Sequence, residues 1–170
     1  MNPKIYFTEF ASPIGMLQLR GTDAALTGVF MEPHPQRPGD AVRDGVPLRE
    51  ARRQLEEYFA GERQEFSLTL GADGTDFQRS VWQALRGIPF GETMSYGDIA
   101  RRIGHPRAVR AVGLANGRNP ISIIVPCHRV IGADGSLTGY GGGLERKRFL
   151  LALEKDDQPW RATAGLVAHK

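Results

Sequence analysis

The sequence predicts an α+β protein. A small N-terminal domain of antiparallel sheet plus helix is expected over residues 1–72, then a mainly helical domain over residues 73–170 with a winged-helix-like helix-turn-helix. Three observations lead there. Apolar residues come in short, turn-bounded runs before residue 31, and from residue 75 they recur at helical spacing. Gly71 to Gly74 separates the two regimes as a linker. The charge also changes sign across it: residues 1–72 carry 8 Lys and Arg against 10 Asp and Glu, and residues 73–170 carry 14 against 9.

Taken in order, Ile5 to Phe10, Met16 to Arg20 and Ala25 to Met31 read as strands, with turns at Ser12-Pro13-Ile14-Gly15 and Gly21-Thr22-Asp23. Such short connections imply an antiparallel meander. Glu32 to Pro47 is rich in Pro, Gly and Asp and reads as a loop. Leu48, Ala51, Leu55 and Tyr58/Phe59 recur at helical spacing, with Arg52 and Glu56 paired at i,i+4, until Gly61 ends the helix. Phe66 to Leu70 alternates as a strand. This first domain gathers no catalytic residue types and reads as scaffold.

Thr75-Asp76-Phe77-Gln78 forms a capping box before a helix with Phe77, Val81, Trp82 and Leu85 on one face. Ser95 caps a second helix that buries Ile99, Ala100 and Ile103 and stops at Gly104. Pro106 suits the first position of a third, which runs to Asn116-Gly117. Two short helices joined by a tight Gly-containing turn, the second bearing arginines, suggest a helix-turn-helix. Arg107, Arg110, Leu114 and Arg118 fall along one side of that helix, and Ala108, Ala111, Val112 and Ala115 along another. The small residues either pack the helix tightly on its neighbour or let it approach nucleic acid. After a Gly-rich loop, a last helix carries Leu144, Phe149, Leu150, Leu151 and Leu153 and ends in Glu154; the tail beyond Asp157 is expected to fray.

Several function classes fall away. No run of about 18 apolar residues exists, so no membrane span is expected, and Met1-Asn2-Pro3-Lys4-Ile5 lacks the apolar core of a signal peptide. A single cysteine forms no internal disulfide and points to the reducing cytoplasm. His34, His105, His128 and His169 are scattered, with one thiol among them, so zinc is not expected. No Walker or dinucleotide glycine signature occurs, and no cofactor is expected. The basic second domain favours a polyanion, or is simply a solvated face.

What remains is thiolate chemistry. Ile123-Ile124-Val125 reads as a buried strand that Pro126 stops, leaving Cys127 at the break with His128 and Arg129 next to it. A lone cysteine is most often a small buried hydrophobe. A thiol of pKa about 8.5 needs a base or a positive setting to act as nucleophile. His128 could supply the base, Glu154 could orient it, and Asn119 could pin the turn.

Pro126-Cys127-His128-Arg129-Val130 resembles the active-site motif of the O6-alkylguanine-DNA alkyltransferases, the methylated-DNA–protein-cysteine methyltransferases, of bacterial type. The likeness extends in order through Phe90-Gly91-Glu92, Ser95-Tyr96, Arg110-Ala111-Val112-Gly113, Asn119-Pro120, Tyr140, Gly142-Gly143-Leu144 and Glu154. It implies direct-reversal DNA repair: stoichiometric transfer of the alkyl group from O6-alkylguanine, and O4-alkylthymine, in double-stranded DNA to Cys127. It implies catalytic roles for Cys127, His128, Glu154, Asn119 and Tyr96. Arg110 would replace the flipped base from the minor groove, with Tyr96, Gly97, Ala108, Ala111, Gly113, Arg118 and Ala133 also on the DNA. Val130, Leu137, Tyr140, Gly141 and Gly142 would form the substrate pocket, the carbonyls of Cys127 and Val130 reading the guanine amino group. A monomer is implied, with cooperativity along DNA open. Gly141 stands where a serine is familiar, and Asn116 where some relatives have an apolar residue. Competing expectations are a non-catalytic lesion-binding protein, a helix-turn-helix regulator and a turnover thiol hydrolase.

Overall fold

Largely buried strands, with an unbroken buried run from Leu17 to Gly21, mark the N-terminal sheet in the computed structural model, which describes residues 3–155. The tail beyond Asp157 therefore lies outside the described residues. Strands β1 (Tyr6–Ser12) and β2 (Gly15–Gly21) form a hairpin that pairs Phe10 with Leu17 and Thr8 with Leu19, and β3 (Leu26–Phe30) pairs antiparallel with β2. At the hairpin turn Gly15 takes φ +103°, open to glycine at little cost, and the Ser12 hydroxyl donates to its carbonyl at 2.6 Å.

The sheet is mixed rather than purely antiparallel. A short β4 (Val42–Arg43), inside the segment expected to be loop, runs parallel to β1 and completes the order β3-β2-β1-β4. Its hydrogen bonds from Val42 N to Ile5 O and from Asp44 N to Phe7 O occupy an edge of β1 that would otherwise be unpaired.

Helix α1 (Arg49–Phe59) lays Ala51, Leu55, Tyr58 and Phe59 inward, with Arg52 3.6 Å from Glu56 on the outer face. The strand expected at Phe66 to Leu70 does not form. One parallel bridge joins Leu70 to Leu26, and the buried Gln54 side chain takes the Ser67 backbone, accepting from its N–H at 3.0 Å and donating to its carbonyl at 3.2 Å. A side-chain amide thus satisfies the groups a ladder would have used.

In the second half, α2 (Asp76–Arg86) starts at the Thr75/Gln78 capping box, both of whose bonds are made. Trp82, on its inner face, donates its indole N–H to Ala115 O at 2.9 Å. Next come β5 (Met94–Ser95) and α3 (Tyr96–Arg102), the latter capped by Ser95 and Asp98. Helix α4 (Val109–Gly117) begins three residues later than Pro106 suggested. Pro106 instead lies in a turn closed by Ala108 N to His105 O, and the helical ladder starts at Val112 N to Ala108 O. Val112 and Ala115 pack inward against α2 and α3, whereas Ala111 is exposed. Tight packing on the neighbouring helices thus accounts for Val112 and Ala115, and Ala111 stays on the open face.

The segment before Cys127 is not a strand. Ile123, Ile124 and Val125 are buried as expected, but Ile123 takes φ +74°. The chain turns tightly there, with Ile124 N bonded to Ser122 O and Val125 N to Ile121 O. A left-handed β-branched residue costs about 1–2 kcal/mol, held here by full burial and by Asn119. The 3₁₀ turn Cys127–Arg129 follows, then β6 (Val130–Ile131), which pairs parallel with β5, and α5 (Leu144–Leu153). Backbone bonds from Val29 N to Pro120 O and from Ser122 N to Val29 O tie β3 to this segment, so one apolar core runs through both halves. Among the described residues no helix is long and apolar enough to cross a membrane.

Candidate active site

Cys127 opens the 3₁₀ turn, 5% exposed, its N–H bonded to Val125 O at 2.8 Å. Asn119 fixes the preceding turn by accepting from Ile121 N at 3.0 Å and donating to Val125 O at 2.8 Å. Burial pushes the Cys127 thiol pKa up; the Asn119 amide, the Lys147 charge and the Tyr140 hydroxyl oppose that without cancelling it. The Tyr140 hydroxyl stands close enough to favour the thiolate, although among the described residues it has no hydrogen-bond partner of ordinary geometry. The resting group is therefore a thiol in need of a base.

His128 is fully buried, and its Nε2 lies 2.7 Å from Glu154 Oε2. Burial alone would raise the Glu154 carboxyl, but His128 and Arg129 outweigh it and hold the group at about 2. An ionised carboxylate only accepts, so a neutral His128 carries its proton on Nε2. Its Nδ1, which has no partner among the described residues, is then the basic nitrogen. Burial keeps His128 below the ordinary histidine range, against the pull of Glu154 and helped by Arg129 and Lys147.

Glu154, the cap of α5, is a hub. Arg129 clamps it from Nε at 2.7 Å and Nη2 at 3.0 Å, the Tyr58 hydroxyl donates to it at 2.6 Å, and Gly91 N–H at 3.3 Å. Tyr58 comes from α1, in the half expected to be scaffold, and sequence reasoning missed it because its spacing marks only a core position. Lys147 was missed too. It is buried and donates to Val130 O at 2.6 Å and Thr138 O at 2.7 Å. The signal was available: Lys147, Leu150 and Glu154 share one face of α5 at i, i+3 and i+7. Tyr58→Phe should cost about 1–2 kcal/mol, because the buried carboxylate loses a donor. Urea unfolding at neutral pH would measure it, and an unchanged midpoint would contradict the role.

A cavity of about 280 Å³ is lined by Cys127, Asn119, Tyr140, Gly141 and Gly142. Two expected pocket residues do not line it. Val130 is fully buried behind the site, and Leu137 is half-buried on the loop that precedes it. Asn116 does line it, donating to Cys127 O at 3.4 Å while its buried Oδ1 has no partner among the described residues. Tyr96 donates to Thr138 O at 3.2 Å, linking α3 to the pocket loop. Of the residues expected on DNA, Arg110, Ala111, Arg118 and Ala133 are exposed, and Tyr96, Gly97, Ala108 and Gly113 are half-buried. Among the described residues Arg110 makes no ion pair, and none has three or more His, Cys, Asp or Glu side chains gathered to hold a metal.

Residues 5–72 match the family model of the 6-O-methylguanine DNA methyltransferase ribonuclease-like domain, and residues 76–156 that of its DNA binding domain. The methylated-DNA–protein-cysteine methyltransferase of Methanosarcina acetivorans is 56% identical, over 88% of this chain and 98% of that relative. The chain belongs to the 6-O-methylguanine DNA methyltransferase family. The methylated-DNA–protein-cysteine methyltransferase of Mycolicibacterium paratuberculosis is also 56% identical, over 91% of this chain and 95% of its own. The crystal structure of Mycobacterium tuberculosis OGT in complex with DNA superposes with a TM-score of 0.87 at 54% identity, covering 93% of this chain and 98% of that one. Like this methyltransferase, that structure is matched across both halves of the chain.

Proposed function

We propose that this methyltransferase repairs DNA by direct reversal, moving the alkyl group of O6-alkylguanine, and of O4-alkylthymine, onto Cys127 once per molecule. The observation that carries this is the buried His128–Glu154 pair, 2.7 Å apart, next to a cysteine that lines a cavity. In the transfer, Cys127 Sγ bonds to the alkyl carbon as the carbon–O6 bond breaks and its electron pair stays on guanine. The thiol proton passes through a water to His128 Nδ1, with Glu154 steadying the charge. Tyr96 gives its hydroxyl proton to guanine N3, and Asn119 braces the turn under the nucleophile. Guanine is itself the leaving group, so the step needs no metal or cofactor. Residues 1–72 serve as support and residues 73–170 bind DNA and carry the transfer. Each chain holds a complete site, so a cytoplasmic monomer suffices.

A stacked base cannot present O6 to a buried thiol, so the nucleotide must leave the helix, at a cost of a few kcal/mol. Arg110, exposed on α4 and without an ion pair among the described residues, is suited to fill the gap from the minor groove beside the small Ala111 and Gly113. Tyr96, Gly97, Ala108, Arg118 and Ala133 flank it along the duplex. Arg110→Ala should slow transfer from duplex by roughly tenfold or more while sparing a single-stranded lesion; equal loss on both substrates would remove Arg110 from extrusion. The function itself is tested with duplex carrying radiolabelled O6-methylguanine. One label per protein supports it, and repeated turnover or label left on DNA counts against it.

A further inference from the structure

The cavity beside Cys127 is not closed by the DNA-binding half alone. On that side the lining joins Asn116, Arg118 and Tyr140 to Ser122 and Gly141, which offer little or no side chain. The N-terminal half adds Phe30, Met31, Pro33 and Pro35 to the wall. Met31 is 8% exposed and presses directly on the pocket loop, since a Cβ added at Gly142 would stand 2.3 Å from its sulfur.

This wall is anchored at both ends. Arg146 on α5 donates to Glu32 O at 2.6 Å, to Ile14 O at 3.0 Å and to Gly142 O at 3.4 Å, stapling the start of the segment to the loop it faces. Arg20, itself buried on β2, donates to the carbonyls of Pro35 and Gln36 at the other end. Two prolines stiffen the backbone between these anchors. The segment is therefore held as a fixed surface, with the adaptable Met31 thioether as its contact point.

From this arrangement we infer that Met31, backed by Pro33 and Pro35, sets the upper size of the O6 substituent the protein accepts. The inference rests on alkyl transfer to Cys127. In-line attack puts sulfur, the reacting carbon and O6 on one axis, so any carbon beyond the first must leave that axis sideways. The cavity beside Cys127 into which it can turn has Met31 in its wall. Methyl has no such extension and does not reach the wall; a linear butyl chain does.

The test is competition in one tube between two duplexes, one carrying O6-methylguanine and one O6-butylguanine with distinct labels, on the full-length protein. Both draw on the same active molecules, so the butyl-to-methyl ratio is independent of how much of a variant is folded. Met31→Ala should raise that ratio by about tenfold or more, because a methylene's worth of pocket space discriminates at that level. Met31→Phe should lower it by a similar factor. A ratio unchanged in both variants, with methyl transfer intact, would overturn the wall while leaving the transfer reading standing. Wild-type protein that transfers neither group would instead remove the transfer reading, and the inference with it.

Discussion

Cys127→Ala should abolish alkyl transfer, by more than about 10⁴-fold, and leave binding to lesion-bearing duplex unchanged. Cys127 is the only cysteine in the chain, and it directly precedes His128 of the His128–Glu154 pair in sequence. Removing Sγ takes away the bond-forming atom but no hydrogen bond that positions another group, because the turn is held by Asn119 and by backbone bonds. The cavity left is one sulfur in size, worth about 1 kcal/mol, too little to unfold the domain. The exposed Arg110 on α4, proposed to meet DNA, does not line the cavity beside Cys127. Single-turnover transfer and a parallel binding titration would check both halves of the expectation. Transfer at wild-type rate by Cys127→Ala would refute the assignment.

The second large effect belongs to Glu154. Its side chain is 1% exposed and accepts from His128, Arg129, Tyr58 and Gly91. Glu154→Ala leaves a buried guanidinium without its counter-charge and a tyrosine hydroxyl without its acceptor. Breaking a buried pair from one side costs about 3–5 kcal/mol, and the urea midpoint should fall accordingly. Glu154→Gln keeps the volume but not the charge. It should fold better than the alanine variant yet transfer slowly, because its amide no longer fixes the His128 tautomer.

The pH dependence follows from the same contacts. The folded Glu154 carboxyl sits at about 2, below its ordinary 4.5. The stability it lends is fully present above 4.5 and is lost as pH falls towards 2. His128 is held below its ordinary 6.5 by burial, so its share is also present above 6.5 and lost on acidification. Both slopes have the same sign. The wild-type urea midpoint should fall steadily below pH 6.5, and Glu154→Gln should flatten the lower limb, between about pH 4.5 and 2. A parallel fall in the variant would show that other carboxylates set the acid limit.

Local rules carried much of the fold. The Thr75 and Ser95 caps, the α1 periodicity and the hairpin turn at Gly15 depend on neighbours in sequence, and each forms as patterning suggests. Elements that depend on distant partners were hidden. Nothing within Phe66 to Leu70 reveals that Gln54 takes the Ser67 backbone, and nothing near Val42 reveals the free edge of β1. Ile123 to Val125 looks like a strand because burial and β-branching are visible in sequence whereas a left-handed φ is not. The site divides in the same way. Cys127, His128 and Asn119 are close in sequence, and Glu154 at the end of the last helix was a candidate partner that the resemblance reinforced. Tyr58 reaches Glu154 across 96 positions, and Met31 reaches Gly142 from the other half of the chain. Both look like ordinary core residues until the two halves are assembled.

The most direct measurement is mass spectrometry of the intact protein after exposure to excess duplex containing O6-methylguanine, followed by peptide mapping. The expected result is a gain of one methyl per molecule, complete and stable, located on the peptide that contains Cys127. An unmodified protein with repaired DNA, or a methyl on any other residue, would contradict alkyl transfer to Cys127.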